Sequence, residues 1–183
     1  MTDFSFKPTL TGELVVLRPF RERDVDALLE VCDDAEAMRL TGTHDEFTEE
    51  QVRTIYADRN NETERLDLAI EDRATGACVG EAVLNDWDPG NESCCFRILV
   101  LAAGRDRGLG SEATRLIVRY GFEQLGLHRI SLEVYAFNPR ARRAYEKAEF
   151  VVEGTLRDAL LWDGEWVDAV VMSILAPDWR GSD

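Results

Sequence analysis

A glycine-containing segment in the middle of the chain has the residue types that hold an anion. It reads Arg105-Asp106-Arg107-Gly108-Leu109-Gly110 and stands between a predicted strand and a predicted helix. Glycines at such a junction let the chain turn tightly, so successive backbone N–H groups can converge on one point. The N-terminus of the following helix adds unpaired N–H groups and partial positive charge. The segment therefore predicts a pyrophosphate-binding loop, with Arg105 and Arg107 adding charge-assisted hydrogen bonds.

Two common nucleotide-binding loops do not fit this segment. No Gly-Lys-Ser/Thr follows it, which argues against a P-loop, and its glycine pattern differs from the dinucleotide fingerprint. A glycine-rich turn between a strand and a helix also has a purely structural explanation, so further chemistry has to come from elsewhere in the chain.

A second segment, Asn138 to Phe150, begins about 30 residues later. Asn138 follows a predicted strand, where its side-chain amide either caps the next helix or binds a ligand amide. Tyr145 comes seven residues later, two helical turns along and on about the same face. A phenol in that position can donate a proton to a leaving thiolate. The alternative is that Tyr145 only packs in the core.

Charge is distributed unevenly along the chain. The formal net charge is −15 over 183 residues, which argues against nucleic acid and anionic membranes as partners. Between Arg105 and Lys147, nine Lys/Arg face five acids, so this segment is positive inside an acidic protein. The pattern predicts an anionic ligand held locally and a cationic substrate attracted elsewhere. A solvated helix face rich in Arg is the alternative.

The order of predicted elements favours a mixed α/β fold. Apolar periodicity and turn signals predict β-α-α-β-β-β-α-β-α-β-β, which is seven strands and about four helices in one domain, residues 1–183, with its core at about 14–175. Thr48-Glu-Glu-Gln51 is typical of a capping box that opens the second helix. The glycine-rich loop is expected to lead into a helix over about 111–125, with Gly126 ending it.

Together the two segments resemble the GNAT superfamily of acetyl-CoA N-acetyltransferases. The R-x-x-G-x-G loop continues into Ser111-Glu-Ala, and Asn138–Phe150 reads N-x-x-A-x-x-x-Y-E-K-x-x-F. Segments near the two ends, 14–20 and 162–172, are similar to the ribosomal-protein N-terminal (RimJ/RimL-type) acetyltransferase branch. The resemblance spans about residues 14–175. It implies a mostly antiparallel sheet of seven strands that splays between strands 4 and 5.

The resemblance also implies a donor site for acetyl-CoA. In the family, the main chain of the strand before the loop pairs with the pantetheine arm, the loop holds the pyrophosphate, and a tyrosine protonates the departing thiolate. The arginines after Asn138, including Arg142, are expected near the adenosine 3′-phosphate. The residues that this implies for cofactor binding are Ile98, Leu99, Val100, Leu101, Arg105, Asp106, Arg107, Gly108, Leu109, Gly110, Ser111, Asn138, Arg140, Arg143 and Tyr145.

One position departs from the family pattern. Glu149 stands where the family usually has glycine, directly before Phe150. Glycine there permits a left-handed backbone, which a glutamate adopts at a cost. We therefore expect a reshaped or strained turn at Glu149.

The acceptor side is less defined by the sequence. Direct attack by an amine needs a base, for which Glu92 and Glu81 are the candidates, although each fits better as a surface or strand-end carboxylate. His44 and Trp162 are candidates for substrate contact. The resemblance ranks a protein or peptide α-amine first, with a polyamine or an aminoglycoside-like antibiotic as alternatives. A non-catalytic CoA-binding sensor is the alternative of another class.

Other function classes are expected to be absent. The four cysteines have no C-x-x-C spacing and only two histidines to join them, so neither a metal site nor a disulfide framework is expected. No apolar run is long enough to span a membrane and the first residues do not resemble a secretory signal. We expect a cytoplasmic monomer or homodimer.

Overall fold

The computed structural model describes residues 4–181, which form a single sheet with helices on both of its faces. Within that range there are eight strands and five α-helices. The strands are β1 Leu10–Thr11, β2 Val15–Arg18, β3 Leu66–Asp72, β4 Cys78–Asp88, β5 Ser93–Val100, β6 Arg129–Tyr135, β7 Val151–Trp162 and β8 Glu165–Leu175. The helices are α1 Asp24–Leu29, α2 Ala35–Thr41, α3 Glu49–Asp58, α4 Leu109–Glu123 and α5 Pro139–Lys147.

The order of strands across the sheet is β1-β2-β3-β4-β5-β6-β8-β7. Neighbouring strands are antiparallel except β5 and β6, which are parallel and pair only from Ser93 to Cys95. Beyond Cys95 the two strands separate, while β5 stays paired with β4 as far as Val100. The predicted mixed fold and the splay are confirmed. The described residues have one strand and one helix more than predicted, namely the two-residue β1 and the seven-residue α2.

Local sequence signals account for the helix boundaries. The capping box is confirmed: Thr48 Oγ1 accepts the N–H of Gln51, and Gln51 Oε1 accepts the N–H of Thr48. Helix α4 begins at Leu109, directly after Gly108 in a left-handed conformation, and ends two residues earlier than predicted. Gly126 follows in a left-handed turn with φ +67°.

The two faces of the sheet are covered by different elements. Helix α4 and the aromatic end of α5 pack on one face, where the larger core includes Ile117, Leu132 and Phe150. Helices α1 and α3 pack on the other face, where Phe20, Leu28 and Ala69 form a smaller core. Because side chains alternate along a strand, each residue of β4, β5 and β6 can be assigned to one of these faces.

Two polar contacts fix the ends of the first strands. The carboxylate of Glu112, in the first turn of α4, accepts the backbone N–H groups of Glu13, Leu14 and Val15 at 2.7–2.9 Å. The guanidinium of Arg18 makes a buried bidentate pair with Asp24 at 2.6 and 2.9 Å. The first contact attaches the β1–β2 turn to the helix that follows the glycine-rich loop.

None of the helices found between residues 4 and 181 is both long enough and apolar enough to cross a membrane.

Candidate functional site

The glycine-rich loop presents a run of unpaired backbone donors. A short 3₁₀ turn, Ala102–Gly104, ends β5, and the chain then turns through Gly108 at φ +78° into α4. Intrahelical bonding begins with the N–H of Glu112, which donates to the carbonyl of Gly108 at 3.1 Å. Among residues 4–181 no protein acceptor takes the N–H groups of residues 106 to 111. Six successive donors at a helix N-terminus form a cradle for an anion such as pyrophosphate.

Close packing holds this loop against β5. The side chain of Leu109 is buried in the larger core. A Cβ on Gly110 would lie 3.1 Å from Val100 Cγ2, so α4 approaches the strand as closely as a glycine allows. The remaining loop residues, Asp106 and Ser111, stay at the surface or half-buried. The cradle therefore sits directly at the end of the splayed strand.

The splay leaves one edge of β5 without a neighbouring strand. Ile98, Leu99 and Val100 are paired with β4 on one side, and beyond Cys95 they have no β6 residue opposite them on the other. The adjoining Leu101 is buried and donates its N–H to Val79. Unpaired backbone at a strand edge can pair with an extended ligand as an added strand would. These four residues lie together along one wall of the slot between β5 and β6.

The arginines of the glycine-rich loop and of α5, on the side expected to hold the acetyl donor (the donor side), are mostly paired with carboxylates. Arg105 contacts Asp34 and Glu36, Arg107 contacts Asp72, and Arg140 contacts Asp106. Arg142 pairs with Glu146 within α5. Arg143 is exposed and makes no ion pair within the part of the chain that the structure describes. The guanidinium of Arg105 differs most from expectation, because it is only 11% exposed and points to α2 rather than into the cradle.

Tyr145 lies on the α4 side of the slot, near the point where the strands separate. Its ring packs edge-on against Phe96 of β5, with ring centroids 6.2 Å apart, and against Phe150 at 6.0 Å. Burial raises the pKa of Tyr145 to about 12, so the phenol remains protonated at neutral pH. No protein group between residues 4 and 181 hydrogen-bonds to its hydroxyl. A protonated, unpaired hydroxyl can give its proton to a neighbouring group.

Asn138 carries out one of its two predicted roles through its oxygen. Oδ1 accepts the N–H of Ala141 at 3.0 Å and so caps α5, with Pro139 at the first helical position. The amide Nδ2 donates to no acceptor in the described portion of the chain. The same side chain therefore has a donor left for a ligand amide.

Glu81 lies on the opposite face of the sheet from Tyr145, in register with Leu99 of the splayed strand. The hydroxyl of Tyr56, on α3, donates to Glu81 Oε2 at 2.9 Å. Desolvation raises the pKa of Glu81 and Asp67 adds to this effect, whereas the hydrogen bond from Tyr56 and the charges of Arg59 and Arg97 oppose it. Oε1 has no protein donor, and among residues 4–181 the only side-chain nitrogen and oxygen atoms both buried and unpaired belong to Arg59 and Asn85. The free oxygen of Glu81 therefore reaches accessible space.

An aromatic pair joins two loops above this face. The ring of His44, in the loop after α2, stacks on Trp162 at the tip of the β7–β8 hairpin, with centroids 5.1 Å apart. We call the segment 42–47 and the hairpin tip 162–166 the lip. Its four carboxylates make no ion pair or side-chain hydrogen bond within residues 4–181. These carboxylates belong to Asp45, Glu46, Asp163 and Glu165.

Glu92 does not lie with the other candidates. It precedes β5, and its carbonyl accepts the N–H groups of His128 and Arg129 where β5 and β6 are still paired. At roughly 3.3 Å per residue, the strand separates it from Leu99 by about 20 Å. This position does not favour Glu92 as the base, which stays a prediction, and we do not use it in the mechanism below.

Sequence reasoning missed three residues around the slot. Tyr56 lies among the apolar residues of α3, where an aromatic side chain suggests packing rather than a role at the site, and Asp34 precedes a helix that was itself not predicted. Glu133 is exposed on β6 beyond the paired segment, on the same face as Glu81. Its alternation with the buried Leu132 and Val134 was the available signal.

The donor side fits acetyl-CoA in its chemistry. An anion cradle without protein acceptors, an unpaired strand edge and the free amide of Asn138 match a pyrophosphate joined to an extended chain of amides. The opening between the strands gives that chain a path through the sheet.

Comparison with known proteins agrees with this geometry. The family model described as acetyltransferase (GNAT) domain matches residues 15–151. The probable N-acetyltransferase YjcK of Bacillus subtilis is 31% identical over 177 residues, covering 92% of this chain and 98% of that protein. The spermidine N(1)-acetyltransferase of Escherichia coli is 25% identical over 162 residues, covering 87% and 85%.

A solved structure has the same fold. The spermidine N-acetyltransferase of Vibrio cholerae, in complex with CoA and spermine, superposes with a TM-score of 0.84 at 22% identity, covering 91% of this chain and 98% of that one. The resemblance to the GNAT superfamily is thereby confirmed, whereas the finer RimJ/RimL branch stays a prediction. The chain belongs to the GNAT family and is an acetyl-CoA-dependent N-acetyltransferase that acetylates an amine.

Proposed function

We propose that this acetyltransferase modifies a primary amine of a small organic polycation, such as a polyamine. The observation that carries the proposal is the lip, where four carboxylates without partners among residues 4–181 belong to the same two segments as the stacked rings of His44 and Trp162. Aromatic faces and carboxylates together attract organic cations. An elongated cation with several charges can contact both loops at once.

The charge of the elements near the lip supports the same substrate class. From Phe20 to Glu62, a segment that contains α1, α2 and α3, thirteen Asp/Glu face five Arg and no Lys. Glu133 adds an exposed carboxylate beside the slot. The relatives that act on spermidine are consistent with this preference.

The donor is held mainly by main-chain groups. When bound, acetyl-CoA supplies an acetyl thioester whose CoA portion leaves as a thiolate. The N–H groups of residues 106–111 would hold the pyrophosphate, the free edge of β5 from Ile98 to Val100 would align the pantetheine arm, and Asn138 Nδ2 would donate to it. Arg143 is available for the 3′-phosphate, and Arg140 becomes available if its ion pair with Asp106 is broken.

Two side chains move protons on opposite faces of the sheet. Glu81 Oε1 accepts the proton of the acceptor amine through water, because about two strand spacings, roughly 10 Å, separate its backbone from the slot. Tyr145 then donates its hydroxyl proton to the departing thiolate. The acceptor therefore enters from the face that carries α1 and α3, and the acid acts from the face that carries α4.

A peptide α-amine is the alternative acceptor, and the resemblance to the ribosomal-protein branch supports it. It differs from an alkyl amine in having a lower pKa, about 7.7–8.0 against about 10.4 for an amine like that of lysine, and in carrying a single charge. Its single charge gains less attraction from the lip carboxylates. Because more of it is already unprotonated at neutral pH, its acetylation depends less on a base.

The test is acetylation of an amine panel by the full chain, measured by mass spectrometry and steady-state kinetics. The panel contains a triamine, an aminoglycoside, an alkyl monoamine and peptides with free N-termini. The triamine is expected to have the highest kcat/KM. A peptide that exceeds it tenfold would overturn the substrate assignment, and CoA binding without any acetylated product would favour a non-catalytic sensor.

A charge-neutral lip variant sharpens the same test. Asp45→Asn combined with Glu46→Gln is expected to raise KM for the triamine about tenfold and to leave kcat and the monoamine largely unchanged. The matched control, Glu123→Gln with Asp178→Asn, removes two exposed acids near the C-terminal end of α4. It should change neither KM for the triamine nor kcat.

A further inference from the structure

Arg105 opens the glycine-rich loop, yet its side chain connects two other parts of the molecule. Nε donates to the carbonyl of Val100 at 3.0 Å. The two terminal nitrogens reach Asp34 at 2.6 Å and Glu36 at 2.8 Å, about 70 residues earlier in the chain. At 11% exposure the guanidinium is nearly enclosed. Three of its five N–H groups have protein acceptors, and the nearly enclosed guanidinium faces α2, so it is poorly placed to bind a ligand in the cradle.

The carboxylates that Arg105 contacts belong to the start of α2. Asp34 Oδ1 caps the helix by accepting the N–H of Ala37 at 3.0 Å, while its other oxygen takes Arg105. Glu36 lies in the first helical turn. Because α2 has only seven residues, its own hydrogen bonds do not hold it in place without tertiary contacts.

The far end of α2 leads into the acceptor side. Gly42 ends the helix with φ +65°, and a Cβ there would lie 2.6 Å from the Tyr135 ring, so the helix end sits on β6. The guanidinium of Arg39 covers the ring of Phe137 at 4.5 Å. His44, which stacks on Trp162 in the lip, comes two residues after Gly42.

We propose that Arg105 is a positioning residue for the acceptor site: by joining Asp34 and Glu36 to the end of β5, it holds α2, and with it the lip. The proposal rests on the proposed function for its kinetic consequence, though its structural consequence does not depend on it. Arg105 is thereby reassigned from a ligand of the donor pyrophosphate. The residue that begins the donor loop instead fixes the acceptor side.

The first test compares Arg105→Gln and Asp34→Asn by hydrogen exchange and CoA titration. Asn is as good a helix cap as Asp, so Asp34→Asn removes the charge pair and keeps the cap. Both variants are expected to exchange the amides of 35–41 at least tenfold faster than wild type and to bind CoA within about threefold of it. These readouts stand even if no acceptor is acetylated, so they separate this proposal from the substrate assignment.

The second test is the kinetic split. Both variants should raise KM for the triamine about tenfold with KM for acetyl-CoA little changed, and the double variant should be no worse than either single one, since the two residues act as one unit. Arg105→Lys should raise KM for the triamine less than Arg105→Gln does. Arg53→Gln is the matched control, because Arg53 also joins two carboxylates of the acceptor side, Asp26 and Glu49, but at an exposed site.

Three results would overturn the proposal. The first is CoA binding that weakens tenfold or more in Arg105→Gln and not in Asp34→Asn, which would return Arg105 to the pyrophosphate. The second is unchanged amide exchange over 35–41 in both variants. The third is a loosened α2 with unchanged KM for the triamine, which would separate the helix from the lip. If Arg105→Gln does not fold, Asp34→Asn carries the same readouts.

Discussion

The two sides of the slot use charge in opposite ways. On the donor side the segment between Arg105 and Lys147 is positive, but Arg105, Arg107, Arg140 and Arg142 all have carboxylate partners. The groups left there to bind an anion are mainly the backbone N–H groups of residues 106–111, with the exposed Arg143 beside them. On the acceptor side the carboxylates of the lip have no partners between residues 4 and 181. Sequence charge predicts an anionic ligand on one side and a cationic ligand on the other, but only the pairing of side chains shows which groups are left to bind them.

The largest expected effect follows from the donor side being a main-chain site. Gly108→Val places a β-branched residue at φ +78°, which turns the N–H groups of the cradle away from a common point. We expect CoA affinity to fall about 100-fold or more, measured by calorimetry. Gly76→Val is the matched control, since Gly76 has φ +71° and open space around it in a distant turn. Equal loss of CoA binding in both variants would mean that general instability, not the cradle, is responsible.

Tyr145→Phe tests whether the acid acts from the donor face. The ring packing on Phe96 and Phe150 is kept, and only the hydroxyl is lost. We expect kcat to fall about 10²-fold or more with CoA affinity unchanged. Because the pKa of Tyr145 is raised to about 12, the wild-type enzyme should keep this proton donor until the pH approaches that value. A wild-type kcat in the variant would remove Tyr145 from the mechanism.

Glu81→Gln tests the base on the acceptor face. Gln can still accept from Tyr56 but cannot take a proton, so kcat/KM at neutral pH should fall about 10²-fold. The pKa of Glu81 is raised, so the wild-type carboxyl stays protonated to a higher pH than usual and kcat/KM falls as pH drops through that pKa. The variant should lose this dependence. Its defect should be smaller for a peptide α-amine than for an alkyl amine, because the former deprotonates near neutrality.

The control for this prediction is Glu92→Gln. Both carboxylates are candidates by sequence, but Glu92 lies where β5 and β6 are still paired. We expect its kcat/KM to be close to wild type. A loss in Glu92→Gln with none in Glu81→Gln would reverse the assignment of the two residues.

Local signals predicted most of the fold, and long-range pairing limited the rest. The capping box of α3, the glycine-rich loop and the alternating strands depend on residues close in sequence, and the elements that they predict are present in the structure. The two-residue β1 and the short α2 have too few positions for a periodic pattern, so they were missed. Within the site, the loop glycines were visible by spacing. The partners of Arg105 were not, because Asp34 and Glu36 are about 70 residues away.

The smallest expected effect concerns the end of α5, the helix that carries Tyr145. Glu149 adopts φ +71°, the N–H of Phe150 donates to the carbonyl of Tyr145 and that of Glu149 to the carbonyl of Glu146. This left-handed helix end favours glycine, and a residue with a Cβ costs roughly 1 kcal/mol there. The strained turn expected at Glu149 is therefore present, directly after the donor-side helix.

Glu149→Gly should relieve this strain without touching either ligand. We expect the free energy of unfolding to rise by about 0.5–1 kcal/mol, less than the full strain because Gly orders more on folding and because the Glu149 carboxylate accepts the N–H of Arg180. Thermal unfolding should show a midpoint about 1–4 °C higher. Glu149→Ala is the control, since it loses the carboxylate and keeps the Cβ, so the difference between the two variants isolates the backbone contribution. If the Gly variant is no more stable than the Ala variant, the strain is absent; if it also changes kcat, the end of α5 helps to set the position of Tyr145.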